Sequence, residues 1–203
     1  MNVHSVNTRR GRGRPVTDDK RRRILDAALS VFAERGYHGT SVPEVAQAAK
    51  VATGSLYHYF ESKEVLVNEV YRDAKTRLRD ALLQVPALGK DGRAWFTGVW
   101  NRLAEFALAE PDAFRFLEMQ DHAPYLDAES RALELSVLAP LFMEGKRLTD
   151  GAAEDVPPVD VAIALLWGAF VGLVKASRLG YLTLNKKTID RAGLACWRMI
   201  RKG

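Results

Sequence analysis

Cysteine is almost missing from this chain: of 203 residues only Cys196 carries a thiol. One cysteine excludes an intramolecular disulfide and any cysteine-based zinc site. Histidine is scarce too. His4, His38, His58 and His122 do not stand at metal-ligand spacing with one another or with Cys196. There is no G-x-S-x-G, no P-loop, and no G-x-G-x-x-G opening a helix. The chain therefore offers no catalytic constellation, and no enzyme activity, metal or cofactor is expected. Long apolar runs are lacking as well. The longest, Val161 to Val174, has 14 residues, fewer than the roughly 20 a bilayer span needs. The N-terminus is arginine-rich without an apolar core of the secretory type. These absences predict a cytoplasmic protein without membrane contact. Strand-like alternation of any convincing length is missing, as are internal repeats, so the fold class expected is all-α.

What is present is apolar surface and an uneven charge. Hydrophobic residues make up 47% of the chain and the net charge is +5. Residues 1–63 carry 11 Lys and Arg against 6 Asp and Glu; residues 64–203 carry 19 of each. All of the imbalance lies at one end. A basic segment joined to a neutral body is the electrostatic footprint of a nucleic-acid-binding head.

Within that head the stretch from Thr40 to Lys63 organises the rest. Ser41-Val42-Pro43-Glu44 has the S-x-x-E form of a capping box, and Pro43 suits a first helical turn. Val42, Val45, Ala46 and Ala49 follow at helical spacing. Lys50-Val51-Ala52 breaks the helix, and a second short helix is predicted over roughly Thr53–Tyr59. Leu56 and Phe60 form its buried side. Thr53 and Tyr57, with Gly54 and His58 beside them, form the other, and no carboxylate follows until Glu61. Helix, short turn and second helix make a helix-turn-helix, whose second helix enters the DNA major groove. Ser62 is placed to cap a third helix, with Lys63 in its first turn, where cation and N–H groups can meet a phosphate.

Gly36-Tyr37, Thr40-Ser41-Val42, Val45-Ala46 and above all Gly54-Ser55-Leu56-Tyr57-His58-Tyr59-Phe60-Glu61-Ser62-Lys63-Glu64 closely resemble the TetR family of bacterial transcriptional regulators, over about Asp18 to Tyr71. The resemblance implies an N-terminal three-helix helix-turn-helix domain and a C-terminal helical domain for effector binding and dimerisation. It implies that Thr53, Gly54, Tyr57 and His58 face the groove and that Thr40, Ser41, Tyr59 and Lys63 hold phosphates, with Ser55 a further DNA-binding candidate. Two residues depart from the pattern. The family usually has Gly where Lys50 stands and often Ser where Ala52 stands. A left-handed turn residue would cost Lys50 roughly 1 kcal/mol. Ala52 lacks a capping side chain, typically worth about 1 kcal/mol.

The domains expected are a flexible basic arm over 1–17, a DNA-binding domain over 18–78 with its motif at 41–60, and a helical domain over 79–203. In the arm, Arg9-Arg10-Gly11-Arg12-Gly13-Arg14-Pro15 is similar to an AT-hook. Arg12 and Arg14 either lie in a narrow minor groove or add attraction to phosphates regardless of sequence. Thr17 is expected to cap the first helix, and Lys20 to Arg23 to touch the phosphate backbone. Gly36 should end that helix. The third-helix start at Lys63 should continue to about Gln84, linking head and body.

Further helices are expected from about Asp91 to Glu110, Pro111 to Gln120, Ala128 to Leu148 with a kink at Pro140, Val159 to Leu179, and Thr188 to Arg201. Aromatic residues crowd this half, and Trp100, Met119, His122, Phe142 and Trp167 are the candidates for lining an effector cavity, with an apolar or aromatic effector favoured. Ala164, Gly168, Gly172 and Ala176 recur every four residues and permit close helix approach. In the family the last two long helices pair with their mates, so these four are expected at a homodimer interface.

The function expected is a repressor that binds double-stranded DNA at a palindromic operator as a dimer and is released by a small-molecule effector. Two other readings stand beside it. One is an architectural DNA-binding protein led by the arginine arm. The other is a helical carrier or enzyme without DNA affinity.

Overall fold

The computed structural model describes residues 16–149 and 156–200, with side chains from Asp19 onward. The arm with Arg12 and Arg14 lies outside the described residues. Among them every regular element is an α-helix: α1 Val16–Arg35, α2 Val42–Ala48, α3 Thr53–Tyr59, α4 Lys63–Leu82, α5 Gly92–Ala109, α6 Pro111–Glu118, α7 Ala128–Thr149, α8 Val159–Arg178 and α9 Lys186–Ile200.

The head forms because α1 buries Ile24, Leu25, Ala28 and Phe32 against Val45 and Ala46 of α2 and Leu56 of α3. Gly36, at φ 72°, ends α1 in the left-handed conformation its missing Cβ allows. Helix α1 begins at Val16, so Thr17 lies inside the helix instead of capping it. Ser62 does cap α4: its hydroxyl accepts the Val65 N–H at 3.2 Å.

Helix α4 joins head to body. Its 20 residues span about 30 Å. Leu66, Val67, Val70, Ala74 and Leu78 are buried along it, and so are the polar Asn68 and Lys75. Asn68 has every hydrogen-bonding position filled. Its amide nitrogen donates to the carbonyls of Glu64 and Tyr125, both at 2.9 Å. Its oxygen accepts the Asp127 N–H at 2.9 Å and the Ser130 hydroxyl at 2.8 Å.

Helix α6 packs across the C-terminal end of α1. Arg115 donates to the Glu34 carbonyl at 3.0 Å, and Gln120 to the carbonyls of Phe32 and Ala33 at 2.6 and 3.3 Å. A helix leaves its last four carbonyls without intrahelical partners; of these three, Phe32 also accepts the Gly36 N–H at 2.8 Å. Arg21 and Arg22, expected at the phosphate backbone, turn to α4 instead, pairing with Glu69 and Asp73 at 2.7 Å each.

The other helices follow sequence signals with small shifts. Asp91 accepts the Ala94 N–H at 3.0 Å to start α5. Helix α7 continues through Pro140. Helix α9 starts two residues before Thr188, with the Asn185 side chain accepting the Thr188 N–H at 3.0 Å. Helix α8 has a stretch of mean hydropathy 1.9 of which only 17% is buried, so by length and composition it could cross a membrane. The 14-residue run understates it, because Asp160 and Lys175 interrupt a longer apolar helix. Its open side bears Val161, Ala164, Leu165, Gly168 and Gly172.

Candidate nucleic-acid interface and ligand cavity

Helix α3 presents one face inward and the other outward. Leu56 is fully buried and Phe60, just past the helix, is 1% exposed. Tyr57 is 49% exposed. Gly54 and His58 are exposed too, and Thr53, Ser55 and Tyr59 are half-buried. A Cβ built on Gly54 would meet nothing within 4 Å, so no packing inside the chain requires glycine there. The outward face holds hydroxyls, an imidazole and a bare backbone, a surface suited to base edges and phosphates.

The flanks are held by local hydrogen bonds. The Glu44 carboxylate accepts both the backbone N–H and the hydroxyl of Ser41 at 2.7 Å. The Ser41 hydroxyl bond is the chief cause that keeps Glu44 below the usual carboxylate range. Lys63 rests its ammonium 4.2 Å from the ring centre of Tyr37. Burial, with the hydrogen bond to Glu64, pushes the Tyr37 phenol up to about 12. Tyr37 also stacks on Tyr125 at 4.3 Å, which connects the head to the loop after α6.

One expected phosphate contact is corrected. Thr40 is 4% exposed, its hydroxyl donates to the Gly36 carbonyl at 2.8 Å, and its N–H donates to the Tyr37 carbonyl at 3.3 Å. The residue closes the α1–α2 turn and offers nothing outward.

In the body, an apolar cavity of about 90 Å³ lies among α5, α7, α8 and α9. Trp95, Phe96, Val99, Trp100, Leu141, Leu148, Ile163, Leu166 and Trp167 are among its walls, and Thr149 supplies the one hydroxyl. The Trp100 N–H already donates to the Ile189 carbonyl at 3.0 Å, and the Trp167 N–H to Glu118 at 2.6 Å. Both indoles thus turn ring surface to the space and their donors away from it.

Three of the five candidate lining residues stand elsewhere. Phe142 is 43% exposed on the outer face of α7. Met119 lines a separate groove with Arg115, Lys175 and Arg178. His122 is buried between the rings of Tyr71, Phe116 and Tyr125. Its Nε2 donates to the Phe116 carbonyl at 2.5 Å, so Nδ1 accepts the Tyr125 hydroxyl at 2.6 Å. Burial lowers the imidazole below its ordinary value. The four small residues of α8 stand outside this cavity: Ala164, Gly168 and Gly172 are exposed and Ala176 half-buried.

Residues 24–70 match the model of bacterial regulatory proteins of the tetR family, and residues 71–202 that of the tetracyclin repressor-like C-terminal domain. The chain belongs to the TetR family. It is 36% identical over 125 residues to KstR2, an HTH-type transcriptional repressor of Rhodococcus jostii, covering 62% of this chain and 60% of that protein. It is 37% identical over 75 residues to BetI, an HTH-type transcriptional regulator of Klebsiella pneumoniae, covering 37% of this chain and 38% of that one. The chain thus aligns with less than two thirds of the length of either relative. Among solved structures it is similar to a TetR family transcription regulator from Marinobacter aquaeolei VT8, with a TM-score of 0.74, 28% identity, and 91% and 96% of the two chains covered.

Against the TetR pattern, Lys50 adopts φ 56°, the only positive φ at a non-glycine among the described residues. The turn keeps the geometry for which the family uses glycine. Ala52 stands before α3 with no side-chain cap, as its methyl group dictates. The buried Asn68 and Lys75 and the half-buried Glu118 and Gln120 carry no local sequence signal as a group. The nearest hint is that Asn68 and Lys75 fall on the apolar stripe of α4.

Proposed function

We propose that this TetR-family chain is a transcriptional repressor that binds a palindromic operator as a homodimer in the bacterial cytoplasm and leaves it when a small apolar effector binds. The observation that carries the reading is the outward face of α3. Thr53, Gly54, Tyr57 and His58 stand together on the basic part of the chain, and the glycine serves no internal contact. Tyr57 and His58 read base edges, Gly54 admits the backbone close to the groove, and Ser41, Tyr59 and Lys63 hold phosphates.

The effector site is the cavity walled by Trp100 and Trp167. Its donors are engaged by the protein, so it selects hydrocarbon surface over polar groups. At about 90 Å³ it is smaller than the roughly 300–1,000 Å³ of ordinary ligand pockets. An effector must therefore move a wall, and that movement supports release. The open side of α8 pairs with a second copy, as two heads on two half-sites require.

Fluorescence anisotropy on DNA flanking the chain's own gene, against scrambled DNA at two salt concentrations, tests this reading. Specific binding about 10³-fold tighter, with two protomers per site, is expected. Replacing Tyr57 by Ala should remove most of the preference while non-specific binding persists. Equal affinity for both DNAs, collapsing with salt, would refute it and favour the arginine arm as the DNA-binding element.

A further inference from the structure

We infer that Glu118 is the positioning residue that passes occupancy of the apolar cavity to α4, held by Trp167 on one side and facing Lys75 on the other. This rests on the reading of the cavity as the effector site and adds the route by which that site reaches the head.

Trp167 has two roles at once. Its ring is part of the cavity wall, and its N–H donates to Oε2 of Glu118 at 2.6 Å. Glu118 ends α6 with its side chain 9% exposed. Its other oxygen, Oε1, is buried and has no hydrogen bond. The nearest cation to Oε1 is the ammonium of Lys75 on α4, at 3.6 Å. Lys75 is itself 6% exposed, and its second carboxylate neighbour, Glu134 of α7, stands at 3.9 Å. Its ammonium also lies 5.7 Å from the ring centre of Tyr71. One buried ammonium thus sits between two carboxylates and reaches neither at hydrogen-bond distance.

Such a cluster has two arrangements. With the cavity as it stands, Trp167 holds Glu118 back from Lys75. When an occupant pushes the Trp167 ring outward, Oε2 loses its hydrogen bond. A buried carboxylate without a donor is costly, and the closest donor left is Lys75. Closing the pair to the ~2.8 Å of a charge-assisted bond draws α4 and the end of α6 together by under an ångström. Lys75 lies twelve residues beyond Lys63 on α4, about 18 Å along the axis. A small change of tilt at Lys75 is therefore carried to the residues beside α3. Interfaces with two discrete packings convert small shifts in this way.

The test uses full-length protein labelled with nitrogen-15 and toluene as the apolar probe. In the wild type, toluene should shift the indole N–H resonance of Trp167, identified by its loss in Trp167→Phe, and also the backbone amides of Ser62, Lys63 and Glu64. In Glu118→Gln, toluene should still shift the Trp100 indole, but the change at Lys63 should be at least halved. Lys75→Met should behave likewise, and serves if Glu118→Gln does not fold. Head amides that shift equally in wild type and Glu118→Gln would overturn the relay and leave the effector reading intact. No shift at the cavity indoles, or cavity shifts without head shifts in the wild type, would overturn both.

Discussion

Gly193 lies directly beneath the indole of Trp100, so close that a Cβ on the glycine would stand 2.8 Å from Cδ1 of the ring and 2.9 Å from its nitrogen. The ring cannot retreat freely. It is 4% exposed, its N–H is bonded to the Ile189 carbonyl, and Phe170 meets it edge-on at 5.2 Å. Gly193→Ala should therefore destabilise the fold by about 1–3 kcal/mol, the usual range for overpacking, read from the denaturant midpoint. An unchanged midpoint would show that α9 can slide away from α5.

Gly168 is the opposite case. A Cβ there meets nothing within 4 Å, so a larger side chain costs the single chain little. If α8 is where two copies meet, Gly168→Leu should keep the helical signal and separate the dimer, as read by sedimentation or light scattering. A Gly168→Leu protein that remains dimeric would move the interface off this face.

Asn68→Ala leaves the Ser130 hydroxyl, the Asp127 N–H and the Tyr125 carbonyl without their present partner in a buried place. A loss on the order of 3 kcal/mol is expected, measured by urea unfolding. Asn68→Asp should fare little better, because a carboxylate cannot donate to the Tyr125 carbonyl.

Lys50→Gly should stabilise the chain by about 0.5–1 kcal/mol, since glycine adopts φ 56° without steric cost. Thermal unfolding would show it as a raised midpoint. Because Lys50 is exposed, the change also tests whether its charge serves DNA. If it does, operator affinity falls as stability rises.

His122 gives the fold a dependence on acid. Burial lowers its imidazole below the ordinary 6.5, so over that interval the unfolded chain binds more protons than the native one. Its contribution to stability is complete above pH 6.5 and is lost as the pH falls through the native value. The melting temperature should drop as the pH is lowered below about 6.5, and the His122 ring resonance should titrate below 6.5. A titration at or above 6.5 would contradict the buried neutral form with its two hydrogen bonds.

The head was largely legible in the sequence because its signals are local. Ser41 and Glu44 are three residues apart, Leu56 and Phe60 four, and their spacing alone fixes which faces turn inward. The body was legible as helices but not as a site. Phe142 and Trp167 are both large aromatics on apolar helices, yet one faces outward and the other a cavity. That difference depends on which face of α7 meets α8. Thr40 looked like a phosphate ligand because hydroxyls serve DNA and turns equally well, and its Gly36 partner is visible only in three dimensions. Asn68, Lys75 and Glu118 find partners more than 40 residues away, beyond any pattern of local spacing.

The clamp of α6 on the end of α1 bears on how separable the two halves are. The carbonyls of Phe32, Ala33 and Glu34 in the head take donors from Arg115 and Gln120, that of Phe32 besides the Gly36 N–H, and Phe32 packs near Phe116. A head cut free at Leu78 would carry a frayed helix end and an uncovered aromatic. Recombination between relatives at that boundary would thus meet a mismatched seam unless α6 travelled with the head. Head and body are in that sense a single inheritable unit of structure.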